Sequence, residues 1–211
     1  MKYPIIDLHC DLLEYLEIDP SRTVFDEDSA CSFDQLRLGL VQIQVMAIFS
    51  PTINGSTKKG EKQVEIFQGI TKEAFEPLGK VRKEVKKTSV IASIENGSVF
   101  CEEKETWETG KERLDRFFSK VGKLFSISLT WNTENRFGGG TYCDVGLKED
   151  GKKLLDWMAK KNVAVDVSHA CDRLIEEIFS YVEEKKYRIP VIATHSNFRS
   201  VWDQPRNLPD R

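Results

Sequence analysis

Short apolar runs rich in β-branched residues recur along the chain at 4–9 (PIIDLH), 40–49 (LVQIQVMAIF), 89–95 (SVIASIE), 124–130 (LFSISLT), 162–169 (NVAVDVSH) and 189–195 (IPVIATH). Charged segments with helical spacing lie between several of them, at 58–87, 111–122, 148–161 and 172–186. Strand followed by helix, repeated, is the pattern of parallel βαβ units, because a parallel neighbour is reached only through a long crossover. An α/β fold with six strands is therefore expected. Asp172 is placed to cap the helix that follows it, and Gly122 to close the helix before the fourth run. Residues 19–34 and the glycine-rich stretch 135–144 read as loops.

No linker, low-complexity tract or repeat longer than the βα unit itself interrupts the sequence, so residues 1–211 are expected to form one domain. Periodicity leaves two architectures open, a doubly wound sheet and a (β/α) barrel. The length, 211 residues, suffices for one core but falls short of the roughly 250 residues typical of a complete eight-unit barrel.

All three histidines, His9, His169 and His195, stand at the carboxyl end of a proposed strand, which is where parallel α/β proteins build their sites. Glu95 ends the third strand at the same level. In IIDLHCDLL (5–13), successive side chains of an extended segment point to opposite faces, so His9 and Asp11 share one face and Cys10 looks away. An isolated HxD is more often a hydrogen-bonded pair than a set of ligands. Three imidazoles and two carboxylates from four strands shift that balance, since buried carboxylates are costly unless paired or metal-bound. Five donors are too many for one tetrahedral zinc with an open position and enough for two metals if one carboxylate bridges. Glu95, alone on its strand, is the natural bridge.

Other functions are disfavoured by composition. Lys plus Arg number 31 against 34 Asp plus Glu, a net charge of −3, so a nucleic-acid partner is not expected. The N-terminal stretch lacks a signal-peptide core and the chain lacks a run of about 20 apolar residues, so no membrane association and a cytoplasmic location are expected. Five scattered cysteines without a CxxC pair suit reduced thiols. The GGG at 138–140 does not fit a phosphate-binding loop pattern.

The pieces DLHCD (7–11), SIENG (93–97), LTWNTEN (129–135), DVSH (166–169) and THSNFRSVWDQPRNLPD (194–210) together resemble the membrane (renal) dipeptidases and their bacterial relatives, peptidase family M19 of the amidohydrolase-like metal barrels. Their order and spacing cover essentially the whole chain. The resemblance implies an incomplete TIM-type (β/α) barrel with about six of eight βα units, two zinc ions, and hydrolysis of dipeptides by metal-bound hydroxide. It implies that His9 and Asp11 hold one metal, that His169 and His195 hold the other, and that Glu95 bridges both as the catalytic carboxylate. Manganese, cobalt or iron suit the same donors. Arg206 falls at the family's carboxylate-binding arginine, where a guanidinium clamps the dipeptide C-terminus through a bidentate pair.

Two departures from the family pattern stand out. Many members carry His where this chain has Trp131, and an indole donates one hydrogen bond but cannot accept a proton. Trp131 is thus expected in the pocket wall, with consequences for substrate range or rate more than for metal binding. The family barrel also continues beyond the NLPD stretch through two more strands, one bearing an aspartate that handles the proton and the substrate amine. On that expectation the chain is a truncated member of doubtful activity. The competing expectation is a non-catalytic remnant or half of a split protein, binding metal, a second copy of itself or a complementing C-terminal fragment.

Overall fold

The computed structural model describes residues 3–78 and 87–210. Along the chain run β1 (Ile5–Asp7), α1 (Leu12–Ile18), α2 (Phe33–Leu38), β2 (Val41–Phe49), α3 (Ser56–Glu73) and β3 (Glu76–Pro77). Then come β4 (Ser89–Glu95), α4 (Trp107–Val121), β5 (Leu124–Ser128), α5 (Glu149–Lys161), β6 (Ala164–Asp166), α6 (Asp172–Glu184) and β7 (Val191–Ile192). All strand pairs are parallel, in the order β1-β2-β4-β5-β6-β7, with β3 pairing only the first residues of β4. Every residue of β2 is buried, as expected for a parallel strand covered on both faces.

One distance separates the two architectures. Six strands side by side in an open sheet would hold the outermost pair about 24 Å apart, five spacings of roughly 4.8 Å. The imidazoles of His9, just after β1, and His195, just after β7, instead stack with centroids 3.8 Å apart. The sheet is therefore rolled, an open arc of a TIM-type barrel with its helices outside. Leu114 and Phe117 of α4, Leu154, Leu155 and Met158 of α5, and Leu174, Ile175 and Ile178 of α6 form the buried stripes that i, i+3 and i+4 spacing produces. They join Ile94, Ile127 and Val165 from the outer face of the sheet in one core. Among the described residues no helix is long and apolar enough to cross a membrane.

Several boundaries differ from the sequence-based expectation. The helix expected over 58–87 ends at Glu73, and of its remainder 79–86 lies outside the described residues. Pro77 disfavours helix at the residue before it, and Phe75 turns inward, 2% exposed, against the ring of Phe33. The chain then adds β3, a strand not foreseen. Asp172 does not cap α6; Cys171 takes the N-cap position, and the Asp172 carboxylate accepts two hydrogen bonds from Arg199, at 2.6 and 2.7 Å. Gly122 does close α4, at φ 83°. Within 19–34, read as loop, α2 begins behind a capping box between Ser32 and Gln35.

The glycine run 138–140 is used for packing. A Cβ on Gly140 would stand 1.9 Å from the carbonyl oxygen of Trp131 and 2.5 Å from the carbonyl carbon of Asn132, so only glycine lets this loop lie against the segment that follows β5. Gly140→Ala is expected to lower stability by about 1–3 kcal/mol, the usual cost of forced overpacking. Gly69→Ala, on α3 with nothing within 4 Å of the added methyl, should be neutral or stabilising by up to about 1 kcal/mol. Thermal denaturation of the two variants beside the parent chain checks both signs, and equal melting temperatures for all three would refute the close-packing role of Gly140.

Candidate metal centre

Register brings the key side chains to one level. Phe49, Glu95, Ser128, Asp166 and Ile192 are successive partners across β2, β4, β5, β6 and β7, so Glu95 closes its strand at the rim of the arc. His9 lies two residues past β1, and His169 and His195 lie three residues past β6 and β7. The strands are shorter than the sequence runs suggested, the backbone turning at Ser168 and His169 after β6 and bending at Thr194 and His195 after β7. Pairing with β2 nevertheless continues through Cys10, whose N–H donates to Val45 O and whose carbonyl accepts from Ala47 N. Cys10 thereby joins the outer core while His9 faces the interior. Asp11, expected on a strand, sits at the N-cap position of α1.

The five expected donors form one connected set of contacts. The Glu95 carboxylate, 5% exposed, has Oε1 2.6 Å from His169 Nε2 and Oε2 3.3 Å from His9 Nε2. Asp11 Oδ1 is also 3.3 Å from His9 Nε2, with its side chain half exposed. His195 Nε2 is 2.9 Å from His169 Nε2 and 3.9 Å from Glu95 Oε1. Donor atoms of His9, Glu95 and His195 lie within 4.8 Å of one another. Asp11 joins this trio through His9, and His169 joins it through Glu95 and His195. At most one proton fits between the facing Nε2 atoms of His169 and His195, and the buried Glu95 carboxylate needs a positive partner, either a metal cation or a protonated imidazole. A nitrogen and oxygen donor set of this kind fits a divalent transition metal. An open cleft of about 460 Å³ borders His9 and Asp11, so the centre is reachable from outside.

Electrostatics within the chain agree. Burial alone would lower the pKa of His9, but its hydrogen bonds to Asp11 and Glu95 outweigh burial and push it up to about 10. Burial first, then the His9 charge, pushes His195 down to about 4. Burial would raise Glu95, but hydrogen bonds from His169 and His9 hold it well below the usual carboxylate range. Without metal, the proton on His9 supplies the positive charge that the carboxylates require.

Trp131 and Arg206 are brought to the same rim. The half-buried Trp131 ring packs edge-on against Phe49, centroids 5.2 Å apart, and lies 6.2 Å from the His169 ring. Arg206 donates from Nη1 to the Ser168 carbonyl and to Ser196 Oγ at 2.8 Å, and its Nη2 is 3.0 Å from His169 Nε2. Burial lowers its pKa. Sequence reasoning gave no role to Asn132, whose Oδ1 is 3.0 Å from His169 Nδ1, nor to Thr194 and Asp166, which stand behind His195. The available signal was a polar residue beside or within an otherwise apolar strand, in DVSH and ATH.

Known proteins place the chain. It is 29% identical to a protein of the PQQ-III 3′ region of Acinetobacter calcoaceticus over 59% of this chain and 38% of that one. It is 24% identical to Dipeptidase 3 of Rattus norvegicus over 99% of this chain and 44% of that one. The chain thus spans less than half the length of these curated relatives. A metallopeptidase from Rhodobacter sphaeroides, solved with a phosphinate mimic of the dipeptide L-Ala-D-Ala, shares its fold with a TM-score of 0.81 at 18% identity, covering 100% of this chain and 70% of that one. The model of the membrane dipeptidase family, peptidase family M19, matches residues 1–211, and the chain belongs to that family.

Proposed function

We propose that the chain carries the chemistry of a metal-dependent dipeptidase, with His9 and Asp11 on one zinc, His169 and His195 on a second, and Glu95 bridging the two. The observation that carries this reading is the convergence of three imidazole Nε2 atoms on one buried carboxylate. Membership of the family supports a dipeptide as substrate. The reading takes residues 1–211 as one domain, and manganese, cobalt or iron remain chemically suited to the same donors.

When bound, a metal pair supplies a water of near-neutral pKa and a Lewis acid for the oxyanion. The chain's own residues do the rest. Glu95, held anionic by His9 and His169, fixes the spacing between the two ligand pairs. Arg206 offers its guanidinium to the C-terminal carboxylate of the substrate, which requires Nη2 to exchange His169 for substrate. Trp131, edge-on to Phe49 and 6.2 Å from the His169 ring, would stand beside the substrate; it cannot take up or relay a proton.

A second reading is binding without turnover. What favours it is the open edge on either side of the arc. Among the described residues β1 and β7 have one partner strand each, and Ile5 and Ile6 are about half exposed. Such edges suit a second copy or a complementing fragment.

Metal content per chain, measured together with hydrolysis of simple dipeptides, tests the proposal and separates the readings. Two metals with turnover supports a dipeptidase, two metals without turnover supports the binding role, and no metal overturns both. Glu95→Gln should weaken the two sites together, and an unchanged stoichiometry of two with unchanged affinity would remove its bridging role.

Proton release gives an independent check. His9 is held protonated up to about pH 10 in the metal-free chain, and a ligand must be deprotonated to coordinate. Zinc binding near neutral pH should therefore expel about one proton from His9, and apparent affinity should climb as pH rises toward 10. Calorimetry in buffers of differing ionisation enthalpy measures it; zero proton release would contradict His9 as a ligand. For Arg206→Ala in an active form, hydrolysis of dipeptides should fall far more than hydrolysis of their C-terminal amides. Equal losses would rule out the carboxylate clamp.

A further inference from the structure

Thr194 stands between a buried carboxylate and one of the candidate ligands. Its hydroxyl oxygen is 2.6 Å from Asp166 Oδ2 and 2.7 Å from His195 Nδ1. A hydroxyl has one proton, so it can donate to only one of these neighbours.

Asp166 decides which. It is 5% exposed, and its other hydrogen bonds all come from donors: Ser168 N at 3.0 Å, Ser168 Oγ at 2.6 Å and Thr194 N at 3.3 Å, each on Oδ1. The Ser168 hydroxyl accepts from Thr194 N at 2.9 Å and His195 N at 3.2 Å, which leaves its own proton for Asp166. A carboxylate set among donors takes the Thr194 proton as well. The lone pairs of Thr194 Oγ1 then face His195 Nδ1, which must carry a hydrogen to make the contact.

We infer that Thr194, backed by Asp166, is a positioning residue that holds His195 in its Nδ1–H tautomer and so turns an Nε2 lone pair toward Glu95 and His169. The corresponding contact on His169 does not have this property. The Asn132 amide can present either its oxygen or its nitrogen to His169 Nδ1, and among the described residues no second hydrogen bond to that amide fixes the choice. What the tautomer is for rests on the proposed metal centre; the tautomer itself does not.

The test uses the whole chain in three forms: parent, Thr194→Val, which replaces the hydroxyl by a methyl of similar size, and Thr194→Ser, which keeps it. Imidazole tautomers are read from long-range proton–nitrogen correlations at neutral pH without metal, and zinc affinity is measured separately. In the parent, Nδ1 of His195 should show the protonated, pyrrole-type shift. Thr194→Val should lose that preference and bind zinc about 10–100-fold more weakly, the usual effect of removing a group behind a metal-ligating histidine. Thr194→Ser should recover both.

A parent His195 protonated at Nε2 overturns the inference outright, even if the valine variant fails to fold. So does a folded Thr194→Val chain with unchanged tautomer. A shifted tautomer with unchanged zinc affinity removes the positioning role. If the parent shows the Nδ1–H tautomer and binds no zinc, the metal reading fails and the hydrogen-bond relay stands.

Discussion

A carboxylate that water barely reaches organises the rim of this molecule. Leaving Glu95 ionised and alone in that position would cost several kcal/mol, and the compensation comes from imidazoles on three other strands. Those imidazoles belong to segments far apart in sequence, following β1, β6 and β7. Satisfying one buried charge in this way goes with a sheet curled until the side chains that follow its two outer strands meet. The hydrogen bonds of Glu95 are at once the electrostatic basis of the site and a statement about the shape of the fold.

How much of this the sequence reveals depends on how local the cause is. β4 is legible to the residue, because SVIASIE is apolar, short and ended by a charge. α2 carries a local signature too, the Ser32 and Gln35 capping box, but its six residues are too few to show a periodicity. The end of α3 depended on Pro77 and on Phe75 turning inward, and only the first of these can be read from sequence. Asp172 shows the opposite error. A good capping residue stood at the right place, and a cation twenty-seven residues later took its carboxylate.

The candidate ligands were legible for a simple geometric reason. Parallel strands share one carboxyl end, so position along a run is enough to bring His9, Glu95, His169 and His195 together. The residues behind them were not legible, because their contribution depends on the direction of a hydrogen bond. Thr194 next to a histidine has no visible meaning until Asp166 appears on the neighbouring strand, with its remaining lone pairs occupied by other donors. Rolling of the sheet was likewise beyond periodicity, which is the same for a flat and a curved array of βα units.

The stacked rings of His9 and His195 make the centre a clasp between the first and last strands of the arc. Among the described residues each of those strands is short and paired on one side, which is the condition for low local protection against opening. Loss of either outer strand separates the rings and removes one imidazole from Glu95. Fraying at an edge, ordinarily a private event of a few residues, is here coupled to the charge balance of the interior. A cation held in the centre would resist that opening at both edges simultaneously, so its binding energy would appear as cooperativity of the entire chain.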